Sequence, residues 1–158
     1  MATHQLIKFM VADLTFGIEI TQIHQILKPQ QIFKVPNTAP FIEGLLNLRG
    51  RVLTVFNLRK RFGLPEKEND DNTKIIIVTL NDYLLGFIVD SVTEIVRIPD
   101  EDIEMTPPSL HGFDKKFLSG IGKVDDKVIL LLDLAKVLTS EEEKEMANLI
   151  NLHGGAVR

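Results

Sequence analysis

The stretch "LIKFMVADLTFGIEITQIHQILK" (Leu6–Lys28) lies without a gap over "IIIVTLNDYLLGFIVDSVTEIVR" (Ile75–Arg97), and this match decides how the chain is read. Asp13 meets Asp82, Gly17 meets Gly86 and Ile26 meets Ile95, while Ile20, Ile23 and Leu27 meet Val89, Val92 and Val96. A second ungapped match sets "FIEGLLNLRGRVLTVFNLRKRF" (Phe41–Phe62) over "FLSGIGKVDDKVILLLDLAKVL" (Phe117–Leu138), with Phe41, Gly44, Val52, Leu58 and Lys60 repeated. Two matches in the same order define two related units, residues 5–64 and 74–138. The acidic stretch "PEKENDDN" (Pro65–Asn72) joins them as a linker.

Each unit reads as mostly β. Strands are expected at Gln5–Val11 and Leu14–Ile18 around Ala12-Asp13, and again at Lys74–Leu80 and Tyr83–Val89 around Asn81-Asp82. Further hairpins are expected at Glu43–Leu48 and Arg51–Asn57 around Arg49-Gly50, and at Leu118–Val124 and Lys127–Leu132 around Asp125-Asp126. Gly17 and Gly86 fall inside strand-like runs and predict a bulge or bend. Ile20, Ile23, Ile26 and Leu27 have helical spacing, as do Val89, Val92, Ile95 and Val96. "VPNTAP" and "TPPS" read as turns. About five short strands in roughly 60 residues fit a small barrel, marginal alone and better supported as a packed pair. The tail, residues 140–152, predicts a helix with a Ser140/Glu143 capping box, a Met146, Leu149, Ile150 stripe and a Gly154-Gly155 stop.

Composition narrows the function. The chain has 158 residues, 44% hydrophobic and 25% charged, as expected of a folded globular protein. The absence of cysteine removes disulfides and thiolate chemistry and agrees with a reducing cytoplasm. No signal-peptide core stands at the N-terminus, and no apolar run approaches the ~18 residues of a membrane span. A soluble intracellular protein is the expectation. Residues 1–64 carry a net charge of +5 and residues 65–158 one of −9. Such asymmetry points to binding surfaces of opposite sign, or to no more than an acidic linker and tail.

Catalysis finds little support. His4, His24, His111 and His153 are scattered without metal-ligand spacing, and no nucleophile elbow or phosphate-binding lysine loop occurs. The acids Asp100, Glu101, Asp102 and Glu104 read as one solvated run, and no cofactor is expected. The cationic cluster Arg49, Arg51, Arg59, Lys60 and Arg61 opens an alternative, a small-barrel nucleic-acid-binding protein. Against it stand an acidic chain, no tryptophan, one tyrosine, and phenylalanines (Phe41, Phe56, Phe62) at core-like spacing. Protein recognition remains. The apolar segments Ile20–Leu27 and Val89–Val96 either form a shared cleft for an amphipathic helix or glue the two units together.

The stretch "FIEGLLNLRGRVLTVFNLRKRFGL" (Phe41–Leu64) closely resembles the signature of the CheW family, the coupling proteins of bacterial chemotaxis. The resemblance extends through "GIEITQIHQILK", "VPNTAPF", "GFIVDSVTEIV" and "LSGIGKVDDKVILLLDLAKVL", and so covers nearly the whole chain. It implies two tandem five-stranded SH3-like β-barrels around a hydrophobic groove. It also implies a non-catalytic adaptor in the cytoplasm, recruited to membrane chemoreceptor arrays, that bridges methyl-accepting chemoreceptor tips to the histidine kinase CheA through its regulatory domain. Neither nucleic-acid binding nor membrane insertion is implied. The family's receptor groove falls on Ile7, Ile20, Ile23, Ile26 and Val92, and the arginine of its N-L-R-G motif, implicated in coupling, on Arg49. Members often carry an acid where this chain has Gln25, which puts a charged partner contact there in question.

Overall fold

The computed structural model describes residues 2–104 and 117–138 together with Glu141, Glu142, Lys144, Glu145 and Asn148. The first unit supplies β1 (Thr3–Val11), β2 (Leu14–Glu19), a 3-10 turn (Ile20–Gln22), β3 (Ile23–Leu27), β4 (Ile42–Leu48), β5 (Arg51–Asn57) and α1 (Leu58–Arg61). The second supplies β6 (Lys74–Leu80), β7 (Tyr83–Val89), β8 (Ser91–Pro99), a 3-10 turn (Asp100–Asp102), β9 (Ile103–Glu104), β10 (Leu118–Val124), β11 (Lys127–Leu132) and α2 (Leu134–Val137). The chain is mainly β, as expected, and the four expected two-residue hairpins stand where the sequence puts them. Positive φ at Ala12, Arg49, Gly50, Asn81, Asp82, Asp125 and Asp126 closes these turns with the twist that antiparallel strands need. The five expected helical positions in the tail that lie among the described residues are helical. The capping box, the Met146, Leu149, Ile150 stripe and the glycine stop lie outside them.

Sheet membership differs from the expectation of one barrel per sequence unit. One sheet runs β8-β1-β2-β11-β10-β9 and the other β3-β6-β7-β5-β4, so the two units exchange their first hairpins. The exchange is symmetric: β1 pairs β8 as β6 pairs β3, and β2 runs parallel to β11 as β7 runs parallel to β5. The physical reason is burial. Along β6, Ile75 and Ile77 face a cluster inside the five-stranded sheet with Leu46, Leu53, Val55 and Leu84, whereas Ile76 and Val78 face a larger core shared by both sheets. Along β11, Ile129 and Leu131 join Leu6 and Ile98, whereas Leu130 and Leu132 enter the shared core. Strands covered on both faces read as unbroken apolar runs, here "IIIV" and "VILLL".

The shared core is threaded by phenylalanine. Ring contacts run Phe41–Phe56–Phe87–Phe9–Phe16–Phe62–Phe117, with centroids 5.2–6.4 Å apart. Each such pair adds about 0.5–1.5 kcal/mol beyond its burial. The chain begins and ends on repeat partners, Phe41 and Phe117. Asn57 and Asp133, also repeat partners, cap α1 and α2 by accepting the backbone N–H of Lys60 and Ala135.

Apart from Ile20, which lies in the 3-10 turn, the residues with helical spacing lie in strands, and the cause is a bulge in β3 and another in β8. The register of β3 shifts between Ile23 and Gln25, and that of β8 against β1 shifts across Thr93. One extra residue turns the period of two into a spacing of three, so Ile23 and Ile26 share a face, as do Val92 and Ile95. Gly17 and Gly86, in contrast, sit in regular register and are sites of close approach. A Cβ would lie 3.0 Å from Ile129 at Gly17 and 3.1 Å from Ile77 at Gly86. The bulges that do involve glycine are at Gly44 and Gly120.

Gly44 has φ +147, and a Cβ there would meet the Phe33 carbonyl oxygen at 2.2 Å, the oxygen that accepts the Leu45 N–H. Gly44→Ala is therefore expected to cost about 3 kcal/mol or more in urea denaturation. Gly50→Ala, at φ +85 with nothing within 4 Å, is expected to cost about 1–2 kcal/mol.

Candidate partner-binding site

Where the two sheets meet, the shared core has a half-buried apolar rim. Ile7 on β1 and Val92 on β8 reach it from the six-stranded sheet; Ile23 and Ile26 on β3 reach it from the five-stranded one. Ile20 is half-buried in the 3-10 turn between the sheets, which packs on both β1 and β6. Sequence reasoning passed over one neighbour. Ile95 lies directly across β1–β8 from Ile7, is the repeat partner of Ile26, and is 57% exposed. The signal was present in the repeat, but the helical reading hid which face Ile95 occupies.

Gln25 does not join this rim. It stands opposite Ile77, whose side chain packs inside the five-stranded sheet, so it points to the other face of β3 from Ile26. Its repeat partner Glu94 stands opposite Lys8 and bonds it at 2.8 Å, which holds the Glu94 carboxyl below its usual range. Lys8 is in turn the repeat partner of Ile77. Where the β1–β8 pairing sets Lys8 against Glu94, the equivalent β6–β3 pairing sets Ile77 against Gln25, so the acid and its cation are replaced together and Gln25 leaves no unpaired charge.

The cationic cluster comes apart in the structure. Arg59 makes a two-pronged pair with Asp90 at 2.9 and 2.6 Å and donates to the Pro65 carbonyl at 2.7 Å. Asp90 also accepts the Ala12 N–H at 2.7 Å. Burial acts to raise the Asp90 pKa, but the guanidinium and the amide outweigh it and hold the carboxyl below its ordinary value. Lys60 binds Glu43 at 3.0 Å and Glu66 at 3.1 Å. Arg61 donates to the Val137 carbonyl at 2.7 Å and to both Glu142 oxygens at 2.8 Å. Its guanidinium lies 4.7 Å from the Phe41 ring and 5.3 Å from the Phe117 ring, joining the two ends of the phenylalanine chain.

Arg49 and Arg51 are the exposed members. Arg49 has φ 53 at the tip of the β4–β5 hairpin, where the Asn47 side chain accepts the Gly50 N–H at 3.0 Å. An exposed guanidinium on a fixed turn can address a carboxylate or a backbone carbonyl of a partner. Two arginines make no phosphate-binding track, which removes the geometric support for the nucleic-acid alternative. Among the described residues no group of three or more His, Asp or Glu is placed to hold a metal ion.

The architecture is two intertwined sheets with an apolar rim and a displayed arginine. Residues 5–142 match the CheW-like domain family, and the chain belongs to that family. It is 34% identical over 137 residues to the chemotaxis protein CheW of Helicobacter pylori, covering 87% of this chain and 82% of that protein. With the chemotaxis protein CheW of Bacillus subtilis it shares 34% identity over 140 residues, 89% of this chain and 90% of that one. The crystal structure of the scaffolding protein TtCheW from Thermoanaerobacter tengcongensis superposes with a TM-score of 0.83 at 35% identity, covering 89% of this chain and 96% of that one.

The two arginine environments are separable by experiment. Arg61→Ala is expected to lower stability by about 2–4 kcal/mol in urea, because it removes the hydrogen bond to the Val137 carbonyl, the two-pronged pair with Glu142 and the packing on the Phe41 and Phe117 rings. Arg49→Ala is expected to stay within about 0.5 kcal/mol of the parent.

Proposed function

We propose that this chain is a non-catalytic chemotaxis adaptor that couples the cytoplasmic tips of methyl-accepting chemoreceptors to the histidine kinase CheA. The observation that carries the reading is the rim: Ile7, Ile20, Ile23, Ile26 and Val92 are each half-buried at the junction of the two sheets. Such a surface accepts the apolar stripe of an amphipathic helix, and a receptor tip is a helical hairpin. The names of the relatives, chemotaxis proteins and a scaffolding protein, point the same way. Arg49 on its hairpin tip is assigned to the coupling contact with the kinase. The kinase's regulatory domain resembles the same double barrel, and head-to-tail contacts between unlike ends of such modules close rings. No helix among the described residues is long and apolar enough to cross a membrane. In this reading the adaptor works in the cytoplasm and reaches the array through its receptor contact.

Co-sedimentation with a receptor cytoplasmic fragment and CheA tests the reading; binding to neither overturns it. Ile23→Glu would place an unpaired carboxylate in the receptor contact, at a cost of several kcal/mol, whereas in the free protein it can remain in water. Receptor binding should be lost while kinase binding and the circular-dichroism spectrum persist. An unfolded variant would assign Ile23 to the core instead. In a reconstituted complex, Arg49→Ala should lower kinase activation while its thermal midpoint stays at the parent value.

A further inference from the structure

His4 lies on β1 opposite Ile98, away from the rim itself. Its Nδ1 is 2.6 Å from a Glu19 carboxylate oxygen and its Nε2 is 2.9 Å from one of Asp100. Carboxylates only accept, so both contacts are hydrogen bonds only when both ring nitrogens carry protons. The two acids occupy telling positions. Glu19 ends β2 and directly precedes the 3-10 turn that bears Ile20. Asp100 opens the turn directly after β8, the strand of Val92 and Ile95, and its N–H donates to the Ala2 carbonyl at 2.9 Å. We infer that His4 is a proton-operated clasp which, when charged, ties the end of β2, where the turn of Ile20 begins, to the turn that ends β8, and so steadies two of the segments that contribute to the rim of the shared core. This inference rests on the receptor-groove reading above and adds a means of regulating it.

The charges around the ring favour this state. Glu19 approaches from β2, and Asp100, with Glu101 and Asp102 in the same turn, from the end of β8. Arg97 of β8 is turned to the Gln5 side chain, whose amide accepts from its guanidinium at 3.1 and 3.2 Å once its oxygen is assigned to the side facing it. On β1 itself Lys8 is held by Glu94. The hydrogen bond to Asp100, then that to Glu19, raise the His4 pKa above its ordinary value. Loss of the proton leaves one N–H, and the other nitrogen turns a lone pair to a carboxylate. One of the two ties then opens. Because the folded pKa is the higher one, the stabilisation is complete below pH ~6.5 and is lost as pH rises through the folded value. A rim that is less well held is less preorganised, so it binds a helix more weakly at alkaline pH.

NMR provides a readout that needs no partner. The His4 imidazole should titrate above pH ~6.5, and the amides of Ile20–Gln22 and Asp100–Asp102 should shift with the same midpoint. In His4→Gln those amide shifts should vanish. Binding of a soluble chemoreceptor-tip fragment should weaken about three- to tenfold between pH 6 and pH 9 in the parent and stay flat in His4→Gln. A midpoint at or below pH ~6.5, amides that ignore it, or an equal loss of binding in His4→Gln overturns the clasp. Failure to bind at every pH in both proteins would refute the receptor reading alone, because the amide titration still decides the clasp.

Discussion

The exchange of first hairpins between the two repeat units is the constraint on which the rest of the structure depends. It gives β1 its partner β8, some ninety residues away in the chain, and sets β2 and β7 in parallel against strands of the other unit. A single unit would leave both of those pairings unmade and would expose the faces that Phe9, Phe16, Phe56 and Phe87 bury. Association of the units is therefore part of folding each one. The cost is a fold whose central pairings are non-local, and such topologies assemble slowly because loop closure precedes the gain from contact.

What the sequence made legible was local. The four hairpins follow from turn residues that accept positive φ, flanked by strand-length apolar runs, and their ends agree with the structure to within two residues. The repeat was legible too, and it recurs in details that no single motif signals, such as paired bulges at Glu43 and Ser119 and paired caps at Asn57 and Asp133. Two things were not. Which strands share a sheet is decided by pairing across the whole chain, and an internal repeat is compatible with either the exchanged or the unexchanged arrangement. The strand character of β3 (Ile23–Leu27) and β8 (Ser91–Pro99) was masked because a bulge spaces same-face residues three apart, and a helix does the same. Which of the expected groove residues share a face followed only from the register, as did the neighbouring Ile95 and the turning of Gln25 to the other face of β3.

The basic cluster shows why charge runs mislead when partners are distant. Arg59 finds Asp90 across thirty-one residues, and Arg61 finds Glu142 across eighty-one. The first pair crosses from the first unit to the second and the other from the first unit to the tail, so two cations that looked like part of a surface patch are internal ties between distant parts of the chain. The net charges of +5 and −9 likewise do not describe two separate bodies, since each sheet takes strands from both spans.

Repeat symmetry also locates where the two halves have diverged, and divergence is where recognition has room to arise. Positions inside the clusters keep their chemistry: Leu53 and Ile129, Val55 and Leu131, Ile75 and Leu6 are equivalent and buried. Elsewhere the equivalents differ in chemistry or in burial. The hairpin tip Arg49-Gly50 corresponds to Asp125-Asp126, and the half-buried Ile26 corresponds to the exposed Ile95. Lys8, bonded to Glu94, corresponds to the buried Ile77, which stands opposite Gln25. A duplicated scaffold that kept equal surfaces would offer a partner two interchangeable sites. With its cores alike and its tips opposite in charge, this one carries unlike surfaces at equivalent positions, the condition for a contact that has direction.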